Sequence, residues 1–197
     1  MIDFYTNPRS RGAIVRWMLE EVGAPYTAHL LDFDTTMKAP DYLAINPMGK
    51  VPAIRHHGQV VTEAAAICAY LADAFPQAGL APPPSQRAAY YRWLFFGAGP
   101  MEAAVTNHAL GVLVPPERRG MVGYGSLDAV LDTVEMRLEE SPYLAGQDFS
   151  AADVYTGSQI LWGMLFGTIA ARPAFTAYTE RLRTRPARQR AASLDQG

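Results

Sequence analysis

A change of pattern near residue 80 constrains this chain most. Up to about Gln77 short β-like runs alternate with helical ones, whereas beyond Ser85 apolar residues recur only at helical spacing. Between the two stretches stands Pro76-Gln77-Ala78-Gly79-Leu80-Ala81-Pro82-Pro83-Pro84. Proline locks its own φ and lacks the N–H that a helix interior needs, so this cluster predicts a short stiff linker over 78–85. The expectation is an α/β domain over 1–77 and an all-helical domain over 86–197. A chain of 197 residues is long enough to bury a sizeable core in that arrangement.

Within the first part the patterns predict a strand at 2–5, a helix at 10–22, a strand at 26–31, a hairpin of 51–55 and 59–62 across His57-Gly58, and a helix at 63–75. This β-α-β then β-β-α order is that of a thioredoxin-like layer. About five helices are expected in the second part. One begins at Ser150, which forms a Ser-x-x-acid capping box with Asp153, flanked by Phe149 and Val154 as a hydrophobic staple. The run that follows, 154–166, is apolar nearly all round, which predicts a buried helix with a structural role.

The segment Asn46-Pro47-Met48-Gly49-Lys50-Val51-Pro52-Ala53-Ile54, followed at Thr62-Glu63-Ala64-Ala65-Ala66-Ile67, describes a pocket for a small peptide. Pro52 enters a short apolar run that it cannot serve as a ladder donor, so it suits an edge or a bend and is a candidate cis proline. Val51 before it would turn its N–H and C=O outward, where they can pair with an extended ligand as an added strand does. Glu63 opens an alanine-rich helix whose first-turn N–H groups accept a carboxylate, and Glu63 itself suits an ammonium group. A ligand with an α-amino acid head, a peptide middle and a free carboxylate meets all of these groups. Glutathione has that form.

The chain resembles the glutathione transferase family, of the bacterial cytosolic type. The resemblance is carried by Asn-Pro-x-Gly-x-Val-Pro-Ala-Ile at 46–54 and by Thr62-Glu63 with the helix after it. The start Ile2-Asp3-Phe4-Tyr5-Thr6-Asn7-Pro8-Arg9-Ser10-Arg11 and the segment Gly146-Gln147-Asp148-Phe149-Ser150-Ala151-Ala152-Asp153-Val154 add to it, so it covers nearly the whole length. It implies a thioredoxin-like domain followed by an all-α domain, a homodimer, glutathione as co-substrate, no metal, a small apolar electrophile and a role in detoxification. It also implies that Val51 and Pro52 clamp the peptide, that Glu63 and the Ala64 N–H hold the γ-glutamyl head, and that Lys38 and Lys50 hold the glycine carboxylate. The chain departs from the pattern at Ala64, where most members have a serine, and so lacks one hydroxyl contact to that head. Lys38 and Lys50 are also the sole lysines among 17 basic residues, and both fall in the ligand segment.

The chemistry belongs in the loop 6–12. A free thiol has a pKa of about 8.5, and a helix N-terminus, hydrogen-bond donors and cations are the means of lowering it. Ser10, at the start of the first helix, is the first candidate donor to the glutathione sulfur, although a serine there is also an ordinary N-cap. One hydroxyl has one proton, so the two roles hold only at different moments. Tyr5 is the rival, since tyrosine-type members place a donor at the end of the first strand and support it with an arginine six residues on, here Arg11. A strand tyrosine is otherwise a core residue. Arg11 serves either scheme electrostatically.

Other features narrow the reading. The net charge of −2 gives no whole-chain attraction to nucleic acid, and the arginines at 181, 183, 185, 188 and 190 are expected as a solvated helix end and tail. The single cysteine, Cys68, has no partner for dithiol exchange and is expected as a small packed residue. His29, His56, His57 and His108 show no metal-ligand spacing. Asp3 and Pro8 interrupt the apolar run that a signal peptide needs, and 160–171 is too short for a hydrocarbon core of about 30 Å, which predicts a soluble cytoplasmic protein. Tyr90, Tyr91, Trp93, Leu94, Phe95, Phe96, Met101 and Asn107-His108 are divided between core and the electrophile pocket that the resemblance implies. Two alternatives remain open at this point: glutathione-dependent disulfide or peroxide reduction, and a non-catalytic glutathione-binding or scaffold module.

Overall fold

The computed structural model describes residues 1–196. The chain forms two compact units, Met1–Ala81 together with the segment from Thr184 onward, and Pro82–Arg183. The first unit is built on a four-stranded sheet of β1 (Ile2–Thr6), β2 (Tyr26–Leu30), β3 (Ala53–His56) and β4 (Gln59–Thr62) in the order β2-β1-β3-β4. Strands β1 and β2 are parallel, and the other two pairs are antiparallel. Strand alternation divides the side chains of β1 between the two faces. Phe4 lies under the Arg16 guanidinium of α1 (Gly12–Val22), whereas Tyr5 turns the other way and packs with Met37, Tyr42 and Ala53. Tyr42 belongs to a short helix α2 (Pro40–Leu43), which the sequence patterns did not predict. The hairpin turns at His57 (φ 50°) and Gly58 (φ 77°), the paired positive φ values that a two-residue turn of the tightest kind requires. Helix α3 (Ala64–Ala74) packs on α1 and on the hairpin.

The second unit contains α4 (Ala88–Phe96), a π-helical segment Gly97–Met101 with Pro100 inside it, α5 (Glu102–Ala109), α6 (Leu127–Glu140), α7 (Ala151–Phe166) and α8 (Pro173–Arg183). Proline has no N–H to donate back along the helix, and the wider winding absorbs that loss. Helix α7 is buried along most of its length, as its apolar sequence predicts. Its start is tied down by Asp153, which accepts the Ser150 N–H (2.9 Å), the Ser150 hydroxyl (3.0 Å), the Leu144 N–H (2.9 Å) and the Tyr178 hydroxyl (2.8 Å). Burial pushes the Asp153 carboxyl up from its usual range, and these four donors offset that only in part.

Helix α9 (Pro186–Gln196) packs on α1, within the first unit. This corrects the expectation of a solvated arginine tail. Arg185 donates two hydrogen bonds to the Glu21 carboxylate (2.6 and 2.8 Å), Arg190 pairs with Glu20 (3.1 Å), and the Arg188 guanidinium lies 5.2 Å from the Trp17 ring centroid. The pair of Arg16 and Asp195 (2.6 Å) is largely buried, with 6% and 12% of the side chains exposed. Those acidic partners are more than a hundred residues away in sequence, so local pattern gave no sign of them. Among the described residues no helix is long and apolar enough to cross a membrane.

Candidate functional site

The sheet register gathers the functional segments of the first unit at one end. Tyr5 is opposite Ala53, and Ala53 is opposite Thr62. One step beyond these pairs lie Thr6, Pro52 and Glu63, so the β1–α1 loop, the Val51-Pro52 bend and the start of α3 converge there. The Val51-Pro52 bond is cis. Among the described residues, neither the N–H nor the C=O of Val51 has a partner. This is an unfilled strand edge one residue long.

The β1–α1 loop is held by its own polar groups. Asn7 donates from Nδ2 to the Leu31 carbonyl (2.8 Å) and accepts the Arg9 N–H at Oδ1 (3.0 Å). Ser10 donates its hydroxyl proton to the Asn7 carbonyl (2.6 Å), while its Oγ accepts the Gly12 N–H (2.9 Å). In this state the serine, one residue ahead of the N-cap Arg11, accepts the first N–H of α1, and its one proton is engaged. Tyr5 is 8% exposed, with its ring stacked on His29 (4.8 Å) and tilted against Tyr42 (5.6 Å). Those contacts are the core placement that a strand tyrosine takes by default.

A cavity of about 370 Å³ is lined by Arg9, Ser10, Arg11, Phe33, Asp34, Met37, Lys38, Gly49, Lys50 and Val51. It brings together Ser10, Arg11, Lys38, Lys50 and Val51 of the residues that the sequence singled out. Tyr5, Pro52, Glu63 and Ala64 are outside the lining. Four cations against the single carboxylate of Asp34 make the cavity attractive to an anion. Lys38 donates to the Gly49 carbonyl (2.7 Å), and the Lys50 carbonyl accepts both the Tyr42 hydroxyl (2.6 Å) and Asn46 Nδ2 (2.8 Å). The last two bonds fix the chain just before Val51. Burial, with Tyr5 nearby, pushes the Tyr42 hydroxyl up to about 12, so it is a neutral donor at every physiological pH. Gly49 makes the turn possible, with φ +56° and no room for a Cβ, which would come 2.8 Å from the Met37 carbonyl oxygen.

Glu63 has φ 66° and ψ 117°, a conformation that L-residues rarely adopt, and its side chain caps nothing. It is exposed at the N-terminus of α3, ahead of the buried Ala64. Strain of this kind, on a carboxylate that the fold itself does not use, points to a ligand contact. Sequence reasoning missed Arg9, Phe33, Asp34, Met37 and Tyr42. Phe33, Asp34 and Met37 come from the aperiodic stretch between β2 and α2, and only the neighbouring Lys38 gave a signal there.

The remaining candidates separate cleanly. Tyr90, Trp93, Leu94 and Met101 are buried core, while Tyr91 and Phe95 are exposed at 44% and 69%. Asn107 and His108 line a cavity of about 270 Å³ in the second unit, where Asn107 donates to the Tyr124 hydroxyl (2.8 Å). Cys68 is fully buried, and burial pushes its thiol far above the usual range, so it is no nucleophile. No cluster of three or more metal-ligating side chains occurs among the described residues.

Comparison with known proteins agrees with this fold. The family described as glutathione S-transferase, N-terminal domain, matches residues 12–74. The disulfide-bond oxidoreductase YfcG of Escherichia coli is 33% identical, over 95% of this chain and 92% of its own. A glutathione transferase from Methylococcus capsulatus shares the fold with a TM-score of 0.82 at 32% identity, over 100% of this chain and 99% of that one. A glutathione transferase homolog from Sulfitobacter, solved with bound glutathione, gives a TM-score of 0.78 at 29% identity over 98% of each.

Proposed function

Because the chain belongs to the glutathione S-transferase family and is an enzyme of it, we propose that it binds glutathione at this sheet end as a thiolate and delivers the sulfur to a small apolar electrophile. The observation that carries the reading is the convergence of an unpaired Val51 backbone edge, a cationic cavity and a strained, unpartnered Glu63 at one end of the sheet. Each group answers one part of the tripeptide. Val51 pairs with the peptide backbone beside Pro52, Lys38 and Lys50 face the glycine carboxylate, Glu63 takes the ammonium, and the Ala64 N–H takes the γ-glutamyl carboxylate.

Activation falls to the loop. Ser10 turns its proton from the Asn7 carbonyl to the sulfur, and Arg11 stabilises the thiolate charge. Lowering a thiol pKa by ~2 units corresponds to about 2.7 kcal/mol of preferential stabilisation. The thiolate then attacks the electrophile, a carbon–sulfur bond forms, and the displaced group leaves with the bonding pair. Tyr5, engaged in ring contacts in the core, is the lesser candidate. A homodimer, a cytoplasmic setting and a detoxifying role belong to the same proposal, and exposed Tyr91 and Phe95 on α4 favour a covered surface there.

The similarity to a disulfide-bond oxidoreductase favours a second reaction at the same site. Cys68 is unreactive, so reduction of a disulfide would consume two glutathione molecules: one thiolate forms the mixed disulfide and releases a thiol, and the second resolves it to oxidised glutathione and a second thiol.

The test follows the ultraviolet thiolate band of bound glutathione against pH in the wild type and in Ser10→Ala, Tyr5→Phe and Arg11→Ala, with turnover measured on a halodinitrobenzene and on a low-molecular-weight disulfide. Ser10→Ala should raise the thiol pKa and slow both reactions, with Tyr5→Phe unchanged. A wild type that binds glutathione without lowering its pKa refutes the transferase reading.

A further inference from the structure

Thr6 ends β1 with a side chain that is fully buried, and its Oγ1 has no hydrogen-bond partner. An unpaired buried hydroxyl costs about 1–3 kcal/mol of desolvation, so its persistence beside the reacting loop needs a reason. Its surroundings supply one. A Cβ placed on Gly12 would sit 2.0 Å from Thr6 Oγ1 and 3.0 Å from Ser10 Oγ, so the two hydroxyl oxygens flank the same bare Cα and are no more than about 5 Å apart. Gly12 has no positive φ, so the glycine is explained by this close approach rather than by backbone freedom.

The hydrogen-bond inventory of Ser10 leaves one place open. A hydroxyl has one proton and two acceptor sites. The proton goes to the Asn7 carbonyl, one acceptor site takes the Gly12 N–H, and the second is unfilled. The Asn7 carbonyl also accepts the Ser10 N–H at 3.0 Å, so it remains partnered when the Ser10 proton turns away. Resting on the reading of Ser10 as sulfur donor, we infer that Thr6 is a positioning residue: Ser10 Oγ, which has no bond to Thr6 in this state, comes within reach of the Thr6 hydroxyl and accepts its proton when a small χ1 adjustment of Ser10 turns the Ser10 proton to the glutathione sulfur. The switch then satisfies the orphan and strands no other group. A donor on Ser10 Oγ polarises the Ser10 O–H and strengthens its bond to the thiolate.

The experiment compares Thr6→Val, which keeps the shape and removes the hydroxyl, with Thr6→Ser, which keeps the hydroxyl, using the thiolate band of bound glutathione against pH, glutathione affinity and melting temperature. Thr6→Val should raise the bound thiol pKa by at least half a unit, a roughly threefold loss of thiolate. Its affinity should stay within about twofold, and its melting temperature should equal or exceed wild type because an unpaired buried hydroxyl has gone. Thr6→Ser should restore the wild-type pKa, and adding Thr6→Val to Ser10→Ala should shift it no further than Ser10→Ala alone. If Ser10→Ala raises the pKa and Thr6→Val does not, this inference is overturned while the Ser10 reading stands. A Thr6→Val effect on melting alone assigns a packing role and overturns it too. If Ser10→Ala itself has no effect, the Ser10 reading fails first.

Discussion

Replacing Glu63 should separate binding from stability in opposite directions. At φ 66° and ψ 117° the residue holds a backbone conformation that costs a non-glycine residue about 1–3 kcal/mol. Glycine removes that strain but adds about 0.5–1 kcal/mol of chain entropy to be lost on folding. Glu63→Gly should therefore stabilise the protein by up to about 2.5 kcal/mol. At roughly 2–4 °C per kcal/mol for a chain of this size, the melting temperature should rise by up to about 10 °C. The same change removes the carboxylate that is assigned to the glutathione ammonium. A charged hydrogen bond contributes about 1.5–3 kcal/mol, which at about 1.4 kcal/mol per decade is roughly a 10- to 150-fold loss of affinity. Glu63→Gln serves as the control, because it keeps the strain and loses the charge: weaker binding with an unchanged melting temperature. Calorimetric titration with glutathione and thermal unfolding of the free proteins measure both quantities. If Glu63→Gly melts at or below wild type, the strain argument is wrong, and if Glu63→Gln binds glutathione as tightly as wild type, the head-group assignment is wrong.

Gly49→Ala should lower stability by about 1–3 kcal/mol and weaken glutathione binding, because the new Cβ meets the Met37 carbonyl at 2.8 Å and Lys38 Nζ at 2.9 Å; equal melting temperatures would refute the crowding. Asp195→Ala should cost about 3 kcal/mol, the low end for an uncompensated buried charge since Arg16 retains the Tyr26 hydroxyl at 3.3 Å, and the double variant Arg16→Leu with Asp195→Leu should recover most of it in a denaturant cycle; additive losses would exclude the coupling. His56, 7% exposed, is held below its usual pKa by burial and by His57. The unfolded chain then takes a proton near pH 6.5 that the folded chain accepts only at lower pH, so stability is flat above about 6.5 and falls as the pH drops below it. Unfolding at stepped pH should show a shallower decline in His56→Gln, and identical slopes would remove His56 as the cause.

What was legible in the chain was what local pattern records. His57-Gly58 marks the hairpin because both positions need positive φ, and Ser150 with Asp153 marks a helix start because the spacing closes a local bond. Ser10, Arg11, Lys38, Lys50 and Val51 share one cavity; their places beside Pro52 and at the first helix start, the scarcity of lysine and the resemblance to the family had selected them. What stayed hidden was set by distant partners or by backbone shape. The Tyr42 hydroxyl reaches the Lys50 carbonyl across a turn that no periodicity describes, and Phe33 and Asp34 reach the cavity from a stretch with no repeat. Arg185 and Arg190 looked like a charged tail because Glu20 and Glu21 are far away in sequence. The engagement of the Ser10 proton and the isolation of Thr6 are facts about hydroxyl geometry, which composition cannot express.

The return of α9 to α1 has a consequence for how the protein is made. The wall that covers Arg16 and Trp17 is encoded after the whole of Pro82–Arg183, so the first unit emerges from the ribosome with that side open. At about 5–20 residues per second the gap lasts on the order of 5–20 s, far longer than collapse of a small domain takes. Throughout that interval a buried-type arginine and an indole face water or a chaperone. A messenger truncated in the linker yields a sheet with both the β1–α1 loop and the Val51-Pro52 bend encoded, yet without the helix that closes its flank.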